Sequence, residues 1–234
     1  MPKKKPQQDP CGWDFDFEIN NAFKLNTVHQ SFQGVLTARD TKMVFADGPA
    51  GTAKTYLAVQ SALQLLKKNY IDSIIYIRSV VESASQKMGS LPGEVDDKFL
   101  PWSIPMIEKL DEIVGIPTRQ NLMSKNLVEC VPVNYVRGLT FNDKIVIIDE
   151  AQNLTSSEII TILTRFGRRC RYIVVGDTNQ SDINGKTGFK PIFNCFNNEE
   201  SEAEGIFTFN FTENEIVRSE ILKFIVRQLD NLKK

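Results

Sequence analysis

The sequence is poor in the side chains that bind soft metals or form disulfide frameworks. It has one histidine, His29, and four widely spaced cysteines with no Cys-x-x-Cys pair, namely Cys11, Cys130, Cys170 and Cys195. Structural zinc sites combine closely spaced Cys and His ligands, so we expect no zinc site. Because the chain is long and shows no secretion signal, we also expect no disulfide framework.

Long apolar runs and an excess of charge of either sign are also missing. No apolar stretch approaches the ~18 residues that cross a membrane, and the basic start "MPKKKPQQDP" is not followed by one. Lys plus Arg number 28 and Asp plus Glu number 29, so any nucleic-acid binding must use a local patch. We expect a soluble, cytoplasmic protein in a reducing compartment, without membrane contact.

Short apolar runs alternate with helical patterns along most of the chain. Six runs are typical of buried strands: 42–47, 73–78, 127–133, 144–150, 171–177 and 206–211. Helices are predicted over 54–69, over 157–166 after a Thr155–Glu158 capping box, and over 215–234. This alternation predicts an α/β fold in which a parallel sheet is covered by helices on both faces, in three layers.

Composition also predicts how the chain is organised. Residues 1–18 are expected to be a disordered N-terminal segment, because their start is polar and rich in proline. Residues 19–234 are expected to form a single domain. Within it, 79–127 is rich in prolines and predicted loops, which indicates an insertion crossing one edge of the sheet.

The stretch "GPAGTAKT", Gly48–Thr55, predicts a phosphate-binding loop. It follows a predicted strand and opens a predicted helix, which is the context that this motif requires. Backbone N–H groups at a helix N-terminus would surround an anion, Lys54 would reach the terminal phosphates, and the Thr55 hydroxyl would bind Mg²⁺. The alternative is an ordinary glycine-rich turn. The predicted phosphate-loop residues are Gly48, Pro49, Ala50, Gly51, Thr52, Ala53, Lys54 and Thr55.

Ala53 stands where the loop pattern usually has glycine. Because Ala53 lies at the start of the helix, an alanine backbone is expected to be acceptable there. Its Cβ is expected to face the β-phosphate, which would weaken nucleotide binding without abolishing it.

Two further polar stretches follow predicted strands. Asp149 and Glu150 end the run at 144–150. Asp149 could hold Mg²⁺, and Glu150 could deprotonate an attacking water. The alternative is an acidic pair that caps a helix. Gln180, in "VVGDTNQSD", could contact the γ-phosphate or the water, although the same residues are also typical of a turn.

Other side chains have weaker signals. The amide of Gln30, ahead of the first strand, matches the N6/N7 edge of adenine, although a lone glutamine is usually an exposed surface residue without a specific role. We expect His29 beside it to be structural. The segment "LTRFGRRCR" could be a solvated basic helix end, a phosphate-backbone patch, or the source of an arginine finger at Arg165. Its arginines are Arg165, Arg168, Arg169 and Arg171.

Together and in this order, "GPAGTAKTYLA", "RSVVES", "SLPGEVDDKFLPWSIP", "VNYVRGLT", "VIIDEAQN", "ILTRFG" and "GDTNQSD" resemble the PhoH-like ATPase family over residues 20–230. That family is linked by name to phosphate starvation and is similar to superfamily 1 helicase cores. The resemblance implies a RecA-like P-loop NTPase core that binds ATP and Mg²⁺. It assigns the phosphate loop to Gly48, Gly51, Lys54 and Thr55, the metal and water pair to Asp149 and Glu150, the sensor glutamine to Gln180, and the adenine glutamine to Gln30.

The resemblance also bears on Arg218 and on assembly. Arg218 resembles the helicase arginine that begins a second motor domain and touches the γ-phosphate, but only sixteen residues follow it in this sequence. We therefore expect a neighbouring subunit to close the site, with Arg165 as the finger, in a ring that the resemblance suggests is a homohexamer.

The expected function is Mg²⁺-dependent ATP hydrolysis by an oligomeric ring on single-stranded RNA or DNA. The alternatives are a non-motor nucleotide switch that controls a protein partner and a small-molecule kinase. Besides Ala53, the sequence departs from the family pattern at two other places. Arg78-Ser79 stands where Arg-Pro is usual, and Leu139 stands where a basic residue is common.

Overall fold

The computed structural model describes residues 16–79, 95–181, 183 and 187–217, with four further positions at 221, 224, 225 and 228. Six strands form one sheet: β1 (Met43–Asp47), β2 (Ser73–Arg78), β3 (Val128–Pro132), β4 (Lys144–Asp149), β5 (Arg171–Gly176) and β6 (Ile206–Asn210). Seven α-helices have assigned bounds in these ranges: α1 (Thr27–Thr37), α2 (Lys54–Lys67), α3 (Val95–Val114), α4 (Ile116–Ser124), α5 (Ser156–Leu163), α6 (Phe189–Phe196) and α7 (Glu199–Ala203).

The six strands are all parallel and lie in the order β3-β2-β4-β5-β1-β6. Each coincides with one of the six predicted runs, so the prediction of a parallel α/β sheet is confirmed. Parallel strands carry their carboxyl ends at the same edge, and the ends of β4, β5 and β1 are therefore neighbours. Ligands bind at this edge in open α/β sheets.

Helices cover both faces of the sheet and make three layers. Alternate side chains of each strand point to opposite faces. On one face, Val44 and Ile147 pack with α1, α2, α3 and α4, in a cluster that includes Phe32, Leu57 and Leu110. Another buried cluster holds the residues of the opposite face together with α5 and α6, among them Phe45, Val146, Ile159 and Phe189. The predicted three-layer arrangement of a P-loop NTPase core is therefore confirmed.

The helix after β4 begins as its sequence predicts. Thr155 caps α5, its hydroxyl accepting from the Glu158 N–H at 3.3 Å while the Glu158 carboxylate accepts from the Thr155 N–H at 2.8 Å. This reciprocal capping box satisfies two backbone donors that a helix start leaves without partners. It fixes the point at which the chain leaves the carboxyl edge of the sheet.

Two expectations about chain organisation differ from the structure. The segment at 79–127 was expected to be loop-rich, but residues 95–124 form α3 and α4. Buried Met106, Leu110 and Ile113 hold α3 on the sheet, and this packing outweighs the prolines that made the segment look irregular. Phe17 lies inside the predicted disordered segment 1–18, yet it is buried and its carbonyl accepts from Lys67 Nζ at 2.5 Å.

Among the residues that the structure describes, no helix combines the length and the apolar character that crossing a bilayer would need.

Candidate functional site

A cavity of about 600 Å³ opens at the carboxyl edge of the sheet, where the loops after β1, β4 and β5 meet. The predicted loop contributes Ala50 through Thr55 to its wall, β4 contributes Asp149 followed by Glu150, and the chain after β5 contributes Asp177 and Gln180. The structure thus brings together three stretches that the sequence singles out separately. On the remaining side, the wall is formed by Ala22, Phe23, Tyr56, Arg78, Pro105, Glu108, Lys109, Glu112 and Val217.

The loop between β1 and α2 needs backbone conformations that favour glycine. Gly48 has φ +150°, and a Cβ there would lie 2.6 Å from both Cβ and the carbonyl O of Phe211. Gly51 also has a positive φ, of 87°. A side chain at Gly48 would therefore clash with the chain after β6, so this position requires glycine on steric grounds as well as conformational ones.

Ala53 adopts the left-handed conformation, with φ 60° and ψ 16°. This corrects the expectation that alanine is acceptable there because the helix starts at that point. The left-handed region costs a residue with a Cβ roughly 1–2 kcal/mol, whereas glycine enters it freely. Ala53 is therefore a strained replacement for the usual glycine, independently of any contact with a phosphate.

Lys54 is folded back into the loop that precedes it. Its Nζ donates to the carbonyl oxygens of Gly48 at 2.6 Å and Pro49 at 2.9 Å, and to Thr52 Oγ1 at 3.0 Å. Burial lowers the pKa of the Lys54 ammonium, and the carboxylates of Asp177, Asp47 and Asp149 oppose part of that shift. A buried lysine held by carbonyl oxygens of a glycine-rich loop is well placed to bind phosphate oxygens beside that loop.

Two hydroxyl groups hold the buried Asp149 carboxylate in the wall of the cavity. Thr55 Oγ1 donates to its Oδ1 at 2.9 Å, and the Tyr76 hydroxyl donates to its Oδ2 at 2.5 Å. The pKa of Tyr76 is well above its usual value, mainly because of burial and secondly because of the Asp149 charge, so its hydroxyl remains a donor. Two elements far apart in sequence thus place a hydroxyl and a carboxylate oxygen side by side.

These oxygens fit a magnesium ion. Mg²⁺ prefers oxygen ligands, keeps several waters, and is commonly bound by one or two protein oxygens together with substrate phosphates. In the described part of the chain there is no cluster of three or more His, Cys, Asp and Glu side chains that could hold a metal alone. Thr55 and Asp149 offer the one or two protein oxygens that such an ion commonly takes when phosphates supply further ligands.

Glu150 is positioned by a strained backbone and a buried amide. It has φ 52° and ψ 42°, a conformation that side chains rarely adopt and that is often found at functional sites. Gln152 Nε2 donates to Glu150 Oε2 at 2.5 Å, and Arg78 Nη2 lies 3.7 Å from Oε1. Burial raises the pKa of Glu150, with a second contribution from Asp149, and a carboxylate with a raised pKa is suited to accept a proton.

The loop after β5 is tied to the strand ends on both sides. The Asp177 N–H donates to Gln152 Oε1 at 3.0 Å, and the Asp47 carboxylate accepts from the N–H and the hydroxyl of Thr178 at 2.9 and 2.8 Å. Gln180 follows, with its N–H donating to the Asp177 carbonyl at 3.0 Å and its exposed side chain at the cavity wall. Its predicted role at a γ-phosphate stays a prediction.

Two predicted site residues outside the phosphate loop, Gln30 and Arg165, do not line the cavity. Gln30 is exposed on α1, where its Nε2 donates to the Leu25 carbonyl at 3.4 Å, and its predicted adenine contact stays a prediction. Arg165 follows α5, with its carbonyl accepting from the Phe141 N–H at 3.0 Å ahead of β4. It therefore lies toward the amino edge of the sheet. Arg218 lies outside the described residues.

The other arginines of "LTRFGRRCR" make structural contacts. Arg168 and Arg169 both bind the Asp143 carboxylate, the former at 3.4 Å. The guanidinium of Arg171 donates to the carbonyls of Leu36 and of Ala38, so it caps the C-terminus of α1. This segment thus holds the chain before β4 and the C-terminus of α1 at the amino edge of the sheet.

Comparisons with known proteins identify the family of this chain. The family model described as PhoH-like protein matches residues 23–230. The chain belongs to the PhoH-like protein family. It is 34% identical over 220 residues to the PhoH-like protein of Bacillus subtilis, covering 92% of this chain and 68% of that protein.

Other members of the PhoH-like family match over shorter stretches. The chain is 33% identical over 186 residues to the PhoH-like protein of Mycobacterium tuberculosis H37Rv, with 79% of this chain and 51% of that protein covered. It is 36% identical over 144 residues to Protein PhoH of Escherichia coli K12, with 61% and 40% covered. The chain thus spans about two thirds of the Bacillus relative and about half or less of the other two.

Sequence reasoning did not assign a role to several residues of this PhoH-like site. Gln152 lies inside the motif "VIIDEAQN" and Arg78 inside "RSVVES", so the motifs carried a signal without indicating what either side chain contacts. Tyr76 looks like an ordinary core residue of β2, yet its hydroxyl reaches Asp149. His29, which was expected to be structural, contacts the phosphate loop directly.

Proposed function

We propose that this PhoH-like chain binds ATP with Mg²⁺ and hydrolyses it to ADP and phosphate. The observation that carries the proposal is the hydrogen bond from Thr55 Oγ1 to Asp149 Oδ1, 2.9 Å long, which joins the glycine-rich loop to the end of β4. Lys54 and Glu150 line the same cavity. Phosphoryl transfer needs mainly positioning and charge stabilisation, and these four side chains supply both.

Each residue has a distinct part in this proposal. The loop N–H groups and Lys54 bind the β- and γ-phosphates, with Lys54 exchanging its loop carbonyl partners for phosphate oxygens. Thr55 and Asp149 hold Mg²⁺, which when bound neutralises charge on the phosphates. Glu150 takes a proton from the attacking water. At the same time the water oxygen bonds to the γ-phosphorus, and the bond between the γ-phosphorus and the β–γ bridging oxygen breaks. Gln180 orients that water.

Substitution at Lys54 tests the binding step. Lys54→Ala removes a charge-assisted phosphate contact and should weaken ATP binding about ten- to a hundredfold. The matched control is Lys68→Ala, which removes an exposed lysine beyond the other end of α2 and should leave affinity unchanged. Equal ATP affinity in Lys54→Ala and wild type, titrated with Mg²⁺ present, would reject the site.

Substitution at Glu150 separates binding from chemistry. Glu150→Gln keeps the size of the side chain, so ATP affinity should stay near that of wild type while turnover falls roughly 10²-fold or more. Glu199→Gln, at the exposed start of α7, is the control. Wild-type turnover in Glu150→Gln would exclude it as the base. Asp149→Ala should instead lose the Mg²⁺ dependence of binding.

What hydrolysis drives is a separate proposal. We propose that the chain works as an oligomeric ring, a hexamer on the strength of its resemblance to the PhoH-like ATPase family, and acts on single-stranded RNA or DNA. ATPase rates measured with RNA, with single-stranded DNA and with neither test the nucleic-acid part. Stimulation by either polymer favours it, and rates that do not respond favour a nucleotide switch that controls a protein partner.

A further inference from the structure

The one histidine of the chain lies against the phosphate loop. His29 is on the first turn of α1, is 1% exposed, and has a polar partner at each ring nitrogen. Nδ1 faces the N–H of Asn26 at 3.3 Å, and Nε2 lies 3.2 Å from the carbonyl oxygen of Thr52. The ring therefore connects the N-terminus of α1 to the middle of the loop.

The hydrogen bonds determine which nitrogen carries the proton. A backbone N–H can only donate, so Nδ1 must accept from Asn26. A neutral imidazole with an accepting Nδ1 is protonated on Nε2, and Nε2 then donates to the Thr52 carbonyl. Both nitrogens are thus used, and His29 acts on the loop as a hydrogen-bond donor.

This donor controls the orientation of one peptide group. The described part of the chain has no cis peptide bond, and in a trans peptide the C=O and the following N–H point in opposite directions. Holding the Thr52 carbonyl against α1 consequently turns the Ala53 N–H away from α1. That peptide also leads into the left-handed conformation of Ala53, which an alanine does not adopt readily.

The ring itself is held in place by aromatic neighbours. The Phe211 ring lies 5.9 Å from it and the Phe23 ring 6.3 Å, measured between centroids. Phe211 follows β6 and also packs against Gly48 at the start of the loop. Because these contacts restrict the imidazole, it offers the Thr52 carbonyl a fixed donor rather than a mobile one.

We infer that His29 is a positioning residue of the phosphate site, which keeps the Thr52–Ala53 peptide in its anion-binding orientation against the strain at Ala53. The inference rests on the proposed function, because it concerns the same loop and the same nucleotide. Without the His29 bond, fewer molecules hold the competent loop before binding, and apparent affinity falls in proportion to that fraction.

Two substitutions of His29 separate its two hydrogen bonds. In His29→Gln the amide nitrogen can reach the place of Nε2 and donate to Thr52, while the acceptor for Asn26 is lost. In His29→Asn the amide oxygen can replace Nδ1 as the acceptor for Asn26, but the shorter side chain does not reach Thr52. Both variants remove the ring between Phe23 and Phe211, so lost packing affects them alike.

We expect His29→Asn to weaken binding of Mg²⁺-ATP about tenfold and His29→Gln to stay within about threefold of wild type. Adding Ala53→Gly removes the strain that His29 opposes. It should therefore improve affinity more in the His29→Asn background than in wild type, a coupling that a merely structural histidine would not show. Equal improvement in both backgrounds, or wild-type affinity in His29→Asn, would overturn the inference.

Amide hydrogen exchange in the nucleotide-free protein provides a second readout. His29→Asn should speed exchange at residues 51–54, and His29→Gln should not. If wild type binds no nucleotide, the proposed function fails and the phosphate-site role of His29 fails with it. If wild type binds and His29→Asn binds and exchanges like it, only the inference about His29 fails.

Discussion

Gln152 Nε2 donates a 2.5 Å hydrogen bond to Glu150 Oε2. The oxygen of the same buried side-chain amide accepts from the Asp177 N–H at 3.0 Å. The backbone carbonyl of Gln152 accepts from Ser181 Oγ at 3.2 Å. The carboxylate proposed as the base is therefore connected to the loop that carries Gln180.

Gln152→Leu should lower turnover by about tenfold while changing ATP affinity less than threefold, because a charge-assisted bond that orients the base is worth ~1.5–3 kcal/mol. Steady-state kinetics together with an equilibrium ATP titration make the comparison. Gln120→Leu, on the exposed side of α4, is the control for exchanging amide for alkyl. A Gln152→Leu enzyme with normal turnover and weakened binding would place the amide in substrate binding instead.

The sheet was predictable because its strands are continuous apolar runs. Ile145 to Ile148 are buried on both faces, so hydropathy alone marks β4, and the polar residues that follow mark the functional edge. The helix α3 was not predictable in the same way. Pro101 and Pro105 indicate irregular structure locally, while burial of Met106 and Leu110 depends on a sheet assembled from distant segments.

The parts of the site that the sequence missed depend on conformation and on distant contacts. Residue type does not reveal that Ala53 and Glu150 have positive φ. The bond from the Asp177 N–H to the Gln152 side chain joins residues 25 positions apart in the chain, and that from the Tyr76 hydroxyl to Asp149 joins residues 73 apart. Motif order indicates which stretches meet, whereas the individual hydrogen bonds depend on how distant segments pack in the folded chain.

Two glycines provide a matched test of the loop geometry. Gly48→Ala places a Cβ 2.6 Å from Phe211 in a loop with φ +150°, and overpacking of this kind costs ~1–3 kcal/mol or more. Gly34→Ala adds a methyl group on α1, where no neighbouring atom lies within 4 Å, and should stabilise the protein by up to ~1 kcal/mol. The unfolding temperature should fall in Gly48→Ala and rise in Gly34→Ala, by about 2–4 °C for each kcal/mol of changed stability. A Gly48→Ala protein as stable as wild type would contradict the described contact with Phe211.

Asp143 should make stability depend on pH at the acid end. The hydrogen bond from Arg169 is the main cause that lowers the pKa of this carboxyl, and Arg168 adds to it. A folded-state pKa below the unfolded value of about 3.9 stabilises the protein above that pH, and the contribution is lost as pH falls through the folded-state pKa. Asn also tolerates the left-handed φ of 57° at this position, so Asp143→Asn is a matched substitution.

At pH 7 the Asp143→Asn protein should unfold below wild type by up to about 2–4 °C, since pairs with exposed arginines contribute at most ~1 kcal/mol. The difference in unfolding temperature between the two proteins should disappear as pH falls below about 4, and it should become smaller in high salt. Asp40→Asn, on the exposed turn after α1, is the control. If the difference in unfolding temperature is the same at pH 7 and pH 3, the ion pair does not contribute to stability.

Arg165 tests whether the proposed ATP site is shared between subunits. The helix α5 starts beside the Asp149–Glu150 strand end and runs for eight residues, about 12 Å, before Arg165. The Arg165 carbonyl bonds to Phe141 and its Nε donates to the Thr161 carbonyl at 3.3 Å, away from the cavity of its own chain. If Arg165 serves as an arginine finger, it must therefore do so for a neighbouring copy.

Mixing Arg165→Ala subunits with Lys54→Ala subunits should restore ATPase activity that neither has alone. In a random ring with equal amounts of each, about a quarter of the head-to-tail interfaces pair an intact loop with an intact finger. An arginine finger contributes about 10³–10⁵ in rate, so even this fraction should be measurable above either parent. The control is Arg39→Ala, on the exposed turn after α1, which keeps both the loop and the finger. Its mixture with Lys54→Ala should be no more active than the Arg39→Ala subunits that it contains. Full activity at nanomolar concentration, where sedimentation reports a monomer, would rule out the shared site, and a single-chain nucleotide switch would then explain the cavity better.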